Sequence, residues 1–307
     1  MANQFRVGII GTGWVGSSVA ISTLQAGVAG RVLLADARED VAEGEAMDLA
    51  HGSSFYPAAD VRSVPLEALL ETDAVVIAAG RGSRPAESRL DLLLDNAKTI
   101  RAIASSFRHY NGVVIVVTNP VDVLTFEFGR ASGLAPSHVI GTGTMLDTAR
   151  LHQIVGRTLR IAPQSIHAHV IGEHGDSEVV LWSSARAAGV PLRSWTAWTA
   201  QIERGIGEEV RRAAAEIIRR KGATNHAIGL VTASMLRVIA RDERRILAVS
   251  RAQDGALGYR DVAFSLPTIV GRDGASTVIV PPLADDEGER LGLSVAVLKQ
   301  ALASMSV

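Results

Sequence analysis

The sequence predicts an α/β protein, with a doubly wound parallel sheet in its first half and an α+β arrangement in its second. Short apolar runs at residues 5–10, 32–35, 74–79 and 113–117 are typical of buried parallel strands. Helix-like segments separate them, and in residues 90–107 apolar side chains recur every three or four positions, which marks one buried helix face. This alternation indicates a sheet with helices on both faces.

The pattern changes after about residue 141, and the second half is predicted to mix antiparallel strands with helices. A glycine-containing turn at residues 272–274 separates two apolar runs, as in a β-hairpin. The expected strands cover residues 165–171, 262–270 and 276–280, and the expected helices cover residues 208–221 and 286–305. We therefore divide the chain into a first domain at residues 1–141 and a second at residues 142–307, with the functional site between them.

Length, composition and charge narrow the classes of function. The 307 residues are 47% hydrophobic, enough for a sizeable core, and carry a formal net charge of -1. Nucleic acids and anionic membranes attract a positive field, so we expect neither as a partner and expect a small molecule instead. The absence of cysteine excludes disulfides and thiolate catalysis and fits a cytoplasmic protein. No apolar run approaches the ~18 residues of a membrane span, and no signal-peptide pattern precedes the first strand, so we expect a soluble protein.

A glycine-rich segment follows the first expected strand and opens the first helix. It contains the pattern G-x-G-x-x-G, whose glycines allow a tight turn, close approach of the backbone to a pyrophosphate, and close packing of helix on strand. The helix N-terminus also offers free N–H groups to phosphate. The segment consists of Gly11, Thr12, Gly13, Trp14, Val15 and Gly16. It predicts dinucleotide binding by residues 1–141.

An acidic residue supports this prediction. Asp36 follows the second expected strand, about twenty residues after Gly16, where a carboxylate would bind the adenosine ribose hydroxyls. The same charge would repel a 2′-phosphate, so we expect NAD rather than NADP, although the nearby Arg38 would suit a phosphate. The alternative is that the glycines only form turns and Asp36 only caps a strand.

An imidazole surrounded by glycines and carboxylates indicates chemistry. His174 lies in the segment Gly-Glu-His-Gly-Asp-Ser at residues 172–177, and histidine has an unperturbed pKa of about 6.5, so we interpret it as a general acid/base. Asp147 and Arg150 are three residues apart and share a helix face, and the planar guanidinium suits a bidentate grip on a carboxylate. Taken separately, these residues could be a turn histidine and an ordinary helix ion pair. Together they favour catalysis.

Five motifs, in one order, resemble the L-lactate and malate dehydrogenase family. They are the glycine-rich segment and the segments ESRLDL at 87–92, TNPVD at 118–122, LDTAR at 146–150 and GEHGD at 172–176. The resemblance extends from about residue 5 to the C-terminal helix and implies a Rossmann fold, NAD as cofactor and an L-2-hydroxy acid as substrate. Because the segments with ESRLDL and GEHGD are more similar to lactate than to malate enzymes, L-lactate dehydrogenase is the first interpretation. Malate dehydrogenase, a broader L-2-hydroxyacid dehydrogenase and a non-catalytic NAD-binding sensor are the alternatives.

The resemblance gives each catalytic residue a role in reducing a 2-oxo acid. His174 would donate a proton to the carbonyl oxygen, and Asp147 would orient the imidazole and stabilise its charged form. Arg150 would hold the substrate carboxylate, a task for which lysine is less suited. Arg89 follows a loop containing glycine and proline that could close over the substrate, and the matching arginine of the family polarises the carbonyl.

Three further positions complete the expected pocket. Asn119 would bind near the reacting carbonyl and the nicotinamide, and Thr224 would line the pocket. Ser83 falls at the specificity position, where lactate enzymes typically have glutamine and malate enzymes arginine. Serine lacks a charge for a second carboxylate and leaves room beyond a methyl group, so longer 2-oxo acids would also fit. Arg81 or Arg84 could still bind a second carboxylate, which keeps malate open.

The resemblance also bears on assembly, regulation and metals. The family forms dimers or tetramers, so we expect a homo-oligomer.

Some bacterial relatives are activated by fructose 1,6-bisphosphate through an arginine and a histidine. His167 matches the histidine, but His152 stands at the arginine position, so we expect weak or no activation. His167 and His169 alternate on an expected strand as metal ligands can, but carboxylates at diagnostic spacing are missing, so no metal is predicted.

Overall fold

The structure is a computed structural model that describes residues 5–82 and 89–305, except the side chain of Arg89. Its first half is built on six parallel strands: β1 (Arg6–Ile10), β2 (Arg31–Ala35), β3 (Asp60–Ser63), β4 (Ala74–Ile77), β5 (Val113–Val116) and β6 (Val139–Gly141). They lie in the order β3-β2-β1-β4-β5-β6, so the chain winds outward in both directions from β1 and β4. This order confirms the predicted doubly wound sheet.

Helices cover both faces of this sheet. They are α1 (Trp14–Gln25), α2 (Glu39–His51), α3 (Arg89–Ser106) and α4 (Val121–Ser132). On α3, Leu93, Ala97 and Ile100 are buried, as the spacing over residues 90–107 predicts. No helix in the described part of the chain is long and apolar enough to cross a membrane.

Alternate residues of each central strand enter different cores. On β5, Val114 and Val116 face the core that contains the apolar side of α3 and α4. Val113 and Ile115 face the opposite core, which contains the buried side of α1. Because both faces are covered, strands of continuous apolar sequence are stable here.

The second half contains short strands and longer helices. The strands are β7 (Ile166–His167), β8 (Val170–Ile171), β9 (Val179–Val180), β10 (Arg186–Ala187), β11 (Val190–Pro191), β12 (Arg245–Asp254), β13 (Arg260–Gly271) and β14 (Gly274–Val278). The helices are α5 (Met145–Leu159), α6 (Ala200–Lys221), α7 (His226–Ala240) and α8 (Asp285–Ser304). β12, β13 and β14 are antiparallel, and Ser250 on β12 pairs with Gly141 on β6, so a single nine-stranded sheet continues across the division between the two halves.

Some elements differ from the sequence prediction. Residues 165–171 form two strands in separate sheets, with β7 pairing to β10 and β8 to β9. α6 begins at Ala200, eight residues before the predicted start, because the side chain of Thr199 caps it by accepting the N–H of Ile202 at 3.3 Å. The sequence analysis did not predict β12, whose apolar run is interrupted by Arg251.

The carboxyl ends of the parallel strands position the site. Gly11 follows β1, Asp36 follows β2 and Thr118 follows β5 closely, so these residues meet at one edge of the sheet. α5 starts four residues after β6, and the turn between β8 and β9 faces it across the same edge. The two halves of the chain therefore contribute to one site.

Candidate active site

The glycine-rich turn between β1 and α1 is shaped for close backbone approach. Gly11 has φ of +91°, and a side chain there would place its Cβ 2.5 Å from the main-chain N of Ala79. A Cβ on Gly16 would clash with the main-chain oxygen of Gly11. Gly13, in contrast, has no atom within 4 Å of its Cβ position and directly precedes the first turn of α1. This open space beside the helix N–H groups fits a phosphate.

Asp36 is held against this turn. Its Oδ2 accepts the main-chain N–H of Thr12 at 2.8 Å and the Thr12 hydroxyl at 3.2 Å, and its Oδ1 accepts the N–H of Arg38 at 3.0 Å. Partial burial opposes the charge, but these hydrogen bonds hold the pKa of Asp36 below its usual range. The guanidinium of Arg38 is 70% exposed and its Nε lies 3.9 Å from Asp36 Oδ1. A fixed negative charge therefore stands where a ribose would bind.

A large cavity extends from this acid along the edge of the sheet. Its volume is about 1500 Å³, and Gly13, Asp36, Gly80 and Asn96 are among its lining residues. The other two residues of the glycine-rich segment are not among the residues that line it: Val15 packs against the core and Trp14 is 63% exposed. The open glycine, the fixed acid and the elongated cavity together fit a dinucleotide.

His174 lies in the turn between β8 and β9, and its imidazole reaches Asp147 on α5. Its Nδ1 is 2.5 Å from Oδ2 of Asp147, whose side chain is 3% exposed, whereas the imidazole is 22% exposed. Because Nδ1 is bound to the carboxylate, Nε2 is the nitrogen that can exchange a proton with a substrate. The structure thus brings together the two residues that the sequence analysis paired.

This contact determines the charge of the imidazole. Burial alone would lower the pKa of His174, but the negative charge of Asp147 and its hydrogen bond raise that pKa to about 9. Burial likewise opposes ionisation of Asp147, yet the imidazolium and the guanidinium of Arg150 hold the pKa of Asp147 below its usual range. At neutral pH the imidazole is therefore protonated, which is the form that donates a proton to a carbonyl. The unperturbed pKa assumed from the sequence does not apply here.

Arg150 binds the other oxygen of the same carboxylate. Its Nη1 donates to Oδ1 of Asp147 at 2.7 Å, and its side chain is 12% exposed. The helix ion pair expected from the i,i+3 spacing therefore exists, and it is part of the His174 site rather than an alternative to it. A buried cation beside a protonated imidazole can bind a substrate carboxylate.

Asn119 connects the end of β5 to the loop after β4. Its main-chain oxygen accepts the side-chain amide of Asn96 at 2.9 Å, and Asn96 Oδ1 accepts the N–H of Arg81 at 3.0 Å. The peptide bond between Asn119 and Pro120 is cis. Arg81 donates to Asp95 Oδ2 through Nη2 at 2.7 Å, so its guanidinium is held along α3.

Of the remaining predicted pocket residues, only Thr224 has a described side chain. Ser83 and the side chain of Arg89 lie outside the described residues, as does Arg84, so the predicted lid and specificity position carry no structural observation. Thr224 is half-buried in the turn between α6 and α7. The next residue, Asn225, ties that turn to α1 by donating from its side-chain amide to Ser18 Oγ at 2.9 Å.

The turn that holds His174 is anchored to α8. The N–H of Glu173 donates to Ser294 Oγ at 2.8 Å, and Ser177 Oγ lies 3.1 Å from the same oxygen. Gly172 has φ of +86°, and a Cβ there would lie 2.7 Å from Ser294 Oγ. The turn therefore needs a glycine at this position and is fixed from outside the site.

The histidines that were considered for regulation or for a metal site, neither of which is predicted, differ in their surroundings. His152 Nε2 lies 2.8 Å from the main-chain oxygen of Ala168, and burial lowers the pKa of His152. His167 is exposed, whereas His169 is half-buried and its pKa is also lowered by burial. Within residues 5–82 and 89–305, no group of three or more histidine, aspartate or glutamate side chains is arranged to hold a metal ion.

Two buried carboxyl groups beside His174 were missed by the sequence analysis. Asp122, on the first turn of α4, accepts the main-chain N–H of His174. Glu178 is 5% exposed, and burial raises its pKa to about 8, with the charge of Asp147 adding to the shift. Both residues lie in or next to motifs noted above. An acid in the first turn of a helix normally only complements the helix dipole, so the sequence did not single out Asp122. Nothing in the local sequence marks Glu178 as buried.

Comparison with known proteins agrees with this geometry. The family model of the lactate/malate dehydrogenase NAD-binding domain matches residues 5–141, and that of the lactate/malate dehydrogenase alpha/beta C-terminal domain matches residues 144–306. The chain belongs to the lactate/malate dehydrogenase family. Membership in this family confirms the resemblance seen in the sequence and the expected cofactor, NAD. It also confirms the prediction that the chain is an NAD-dependent oxidoreductase that acts on a 2-hydroxy acid.

Individual relatives are similar over nearly their full length. An L-lactate dehydrogenase of Kosmotoga olearia is 41% identical, covering 98% of this chain and 96% of the relative, and one of Bacillus caldolyticus is 42% identical, covering 97% and 96%. Among solved structures, the minor L-lactate dehydrogenase of Enterococcus mundtii has a TM-score of 0.95 at 34% identity, covering 98% of both chains. A lactate dehydrogenase from a Medee basin deep-sea metagenome library has a TM-score of 0.95 at 35% identity, covering 99% of this chain and 100% of the other.

Proposed function

We propose that this member of the family is an L-lactate dehydrogenase, which reduces pyruvate with NADH to L-lactate and also catalyses the reverse reaction. The observation that carries the proposal is the carboxylate of Asp147, which binds the imidazole of His174 on one oxygen and the guanidinium of Arg150 on the other. The arrangement supports the proposal because an imidazole that can donate a proton lies beside a cation that can bind a carboxylate. The names of the relatives at 41% and 42% identity support lactate as the hydroxy acid.

When NADH is bound in the cavity, it supplies the hydride that adds to C2 of pyruvate. As C2 gains the hydride, Nε2 of His174 gives its proton to the carbonyl oxygen, so one hydride and one proton convert the 2-oxo acid into the 2-hydroxy acid. The imidazole becomes neutral while Asp147, whose pKa is held low, stays ionised. In lactate oxidation the neutral Nε2 accepts the hydroxyl proton.

The remaining residues bind and enclose the substrate. Arg150 holds the carboxylate of pyruvate beside His174, because its side chain is almost buried and already oriented by Asp147. Asn119 positions the reacting carbonyl and the nicotinamide at the end of β5. Arg89 at the start of α3 is assigned the polarisation of the carbonyl, as for the matching arginine of the family. The assignment of Ser83 and Thr224 to the space around the methyl group stays a prediction.

The position of Arg81 favours lactate over malate. A malate enzyme needs a cation for the second carboxylate of oxaloacetate. Arg81 was one of two candidates, and its guanidinium donates to Asp95 on α3 instead. Of the two candidates, Arg84 is then the one that would have to bind the second carboxylate of oxaloacetate in a malate enzyme.

The enzyme is proposed to work in the cytoplasm as a homo-oligomer, with residues 1–141 binding NAD and residues 142–307 contributing the substrate site. Large apolar side chains support the oligomer: Trp14 on α1, Phe55 after α2 and Leu230 on α7 are 63%, 82% and 65% exposed. Light scattering on the purified protein should give two or four times the mass of 32.4 kDa.

Fructose 1,6-bisphosphate is proposed to have little effect on activity, since His152 is bound to the main chain. A large fall in the KM for pyruvate on adding the bisphosphate would contradict this.

The test of the proposed function is NADH consumption with pyruvate by the wild type and by His174→Asn. The wild type should consume NADH and form L-lactate, and the variant should bind NADH with similar affinity but lose most turnover. Near-normal turnover by the variant would disprove the assignment of His174. NADH binding without consumption of any 2-oxo acid by the wild type would instead indicate a sensor.

A further inference from the structure

Asp122 is a buried carboxylate that contacts the catalytic turn from the first half of the chain. It is the second residue of α4, and its side chain is 2% exposed. Its Oδ2 accepts the main-chain N–H of His174 at 2.7 Å, across 52 residues of sequence. A helix of the cofactor-binding half therefore holds the backbone of the acid/base directly.

The negative charge of Asp122 acts on the imidazole of His174. Burial raises the pKa of Asp122 to about 6, so the carboxylate remains ionised at neutral pH. Its negative charge raises the pKa of His174, in addition to the larger effect of Asp147, while Arg150 acts in the opposite direction. Among the described residues, Glu178 and Glu173 on the same turn are further titratable groups close to this site, and the charge of Arg211 on α6 acts on Glu178. Carboxylates from α4 and α5 therefore both bind His174, that of Asp122 at the main-chain N–H and that of Asp147 at the imidazole.

The segment that carries Asp122 also reaches the cofactor cavity. Asn119, three residues earlier, accepts the amide of Asn96 through its main-chain oxygen, and Asn96 lines the cavity. The N–H of Val121 donates to Asn119 Oδ1 at 3.2 Å, which ties the start of α4 to that side chain. A short rigid path therefore connects the cofactor cavity with the main chain of His174.

We propose that Asp122 is a positioning residue: it fixes the main chain of His174 relative to the cofactor half and, through its charge, stabilises the imidazolium that donates the proton. This rests on the proposed function of His174 as the acid/base. The role requires an anion at this place, because a hydrogen bond alone would hold the backbone without affecting the charge of the ring.

The variant Asp122→Asn separates these two contributions. The amide oxygen can still accept the N–H of His174, but the charge is lost. Glu127→Gln is the matched control, because Glu127 is a buried acid on the same helix that binds Arg101 at 2.6 Å and Arg130 at 3.0 Å, away from His174. The measurements are kcat/KM for pyruvate reduction against pH, the Kd for NADH, and Tm.

For Asp122→Asn, we expect the alkaline fall of kcat/KM to move to lower pH by about one unit, since an anion near the imidazole is removed. The Kd for NADH should change less than about twofold, because the cofactor cavity is untouched. Glu127→Gln should lower Tm and leave the alkaline fall in place. If both variants lower Tm and neither moves the fall, Asp122 has only a structural role and the proposal is overturned.

A second readout does not depend on turnover. The pKa of the His174 imidazole, followed by NMR, should fall in Asp122→Asn and stay unchanged in Glu127→Gln, even if pyruvate is not the substrate. An unchanged imidazole pKa in Asp122→Asn overturns the proposal, whereas absence of wild-type turnover with a shifted imidazole pKa contradicts only the proposed function. If the asparagine variant does not fold, Asp122→Ser serves the same comparison, because its side chain is smaller and uncharged.

Discussion

Nδ1 of His174 lies 2.5 Å from Oδ2 of Asp147, on a carboxylate that is almost completely buried. An imidazole in that environment would be neutral without the carboxylate, because burial disfavours its charged form. With the carboxylate, its pKa is about 9. Under the proposed function, the proton that the reduction consumes is therefore already present in the free enzyme at neutral pH.

Replacing Asp147 by asparagine should remove this effect. The pKa of His174 should fall, and kcat/KM for pyruvate at pH ~8 should drop by about 100-fold or more, because the imidazole is then neutral and poorly oriented. The measurement is the pH profile of pyruvate reduction, with Glu203→Gln as the control, since Glu203 is a buried acid bonded to Arg193 and Trp198. A profile for Asp147→Asn that matches the wild type would contradict the assigned pairing.

Replacing Arg150 by lysine tests the grip on the substrate. Lysine keeps the charge but not the planar fork, so the KM for pyruvate should rise by roughly 100-fold while NADH binding stays the same. Arg157→Lys on the same helix is the control, since Arg157 is exposed and pairs with Glu209. Equal KM values for both variants would show that Arg150 does not bind the carboxylate.

Replacing Asp36 by alanine tests the cofactor site. The Kd for NADH should rise about tenfold, because a hydrogen-bonding anion is lost, and the preference for NADH over NADPH should shrink. Asp40→Ala, an exposed acid four residues further on, controls for the general change of charge. A preference for NADH that survives the loss of Asp36 would mean that another residue selects against the 2′-phosphate.

The raised pKa of Glu178 predicts how the free energy of unfolding depends on pH. Burial raises its pKa in the folded protein to about 8, above the value of 4.5 expected for the unfolded chain. The stability associated with its protonated form is present below pH ~4.5 and is lost as the pH rises towards 8, because only the unfolded chain releases the proton there.

Glutamine does not titrate, so Glu178→Gln should gain stability relative to the wild type as the pH rises. The difference in free energy of unfolding between variant and wild type should grow by more than about 1 kcal/mol from pH ~5 to pH ~8. Denaturant unfolding at several pH values measures it, with the exposed Glu208→Gln as the control. A difference that is flat with pH would show that Glu178 is ionised in the folded protein.

Local patterns were sufficient for the first half of the fold and for the pairing at the site. The spacing on α3 and the apolar runs of β1, β2, β4 and β5 predicted buried elements, because a helix face or a doubly covered strand imposes its period on the sequence. The positions of Asp147, Arg150 and His174 followed from the family motifs.

Contacts between residues that are distant in the sequence could not be predicted from local patterns. The role of Asp122 depends on a contact with His174 that spans 52 residues, and nothing in the local sequence indicates it. The pKa of His174 depends on burial, which lowers it, and on the charge and hydrogen bond of Asp147, which raise it further than burial lowers it; a motif reports neither burial nor that contact. β12 was missed because its pairing with β13 and β6 stabilises a strand whose own sequence is interrupted by arginine.

The most direct test of the proposed function compares kcat/KM for NADH-dependent reduction of pyruvate, oxaloacetate and 2-oxoisocaproate by the same preparation. Arg150 is assigned to bind one substrate carboxylate, and Arg81 is bound to Asp95. We therefore expect pyruvate to have the highest value. The highest value with oxaloacetate would contradict the assignment as an L-lactate dehydrogenase, and would mean that the loop after Gly82 supplies a second cation to the substrate.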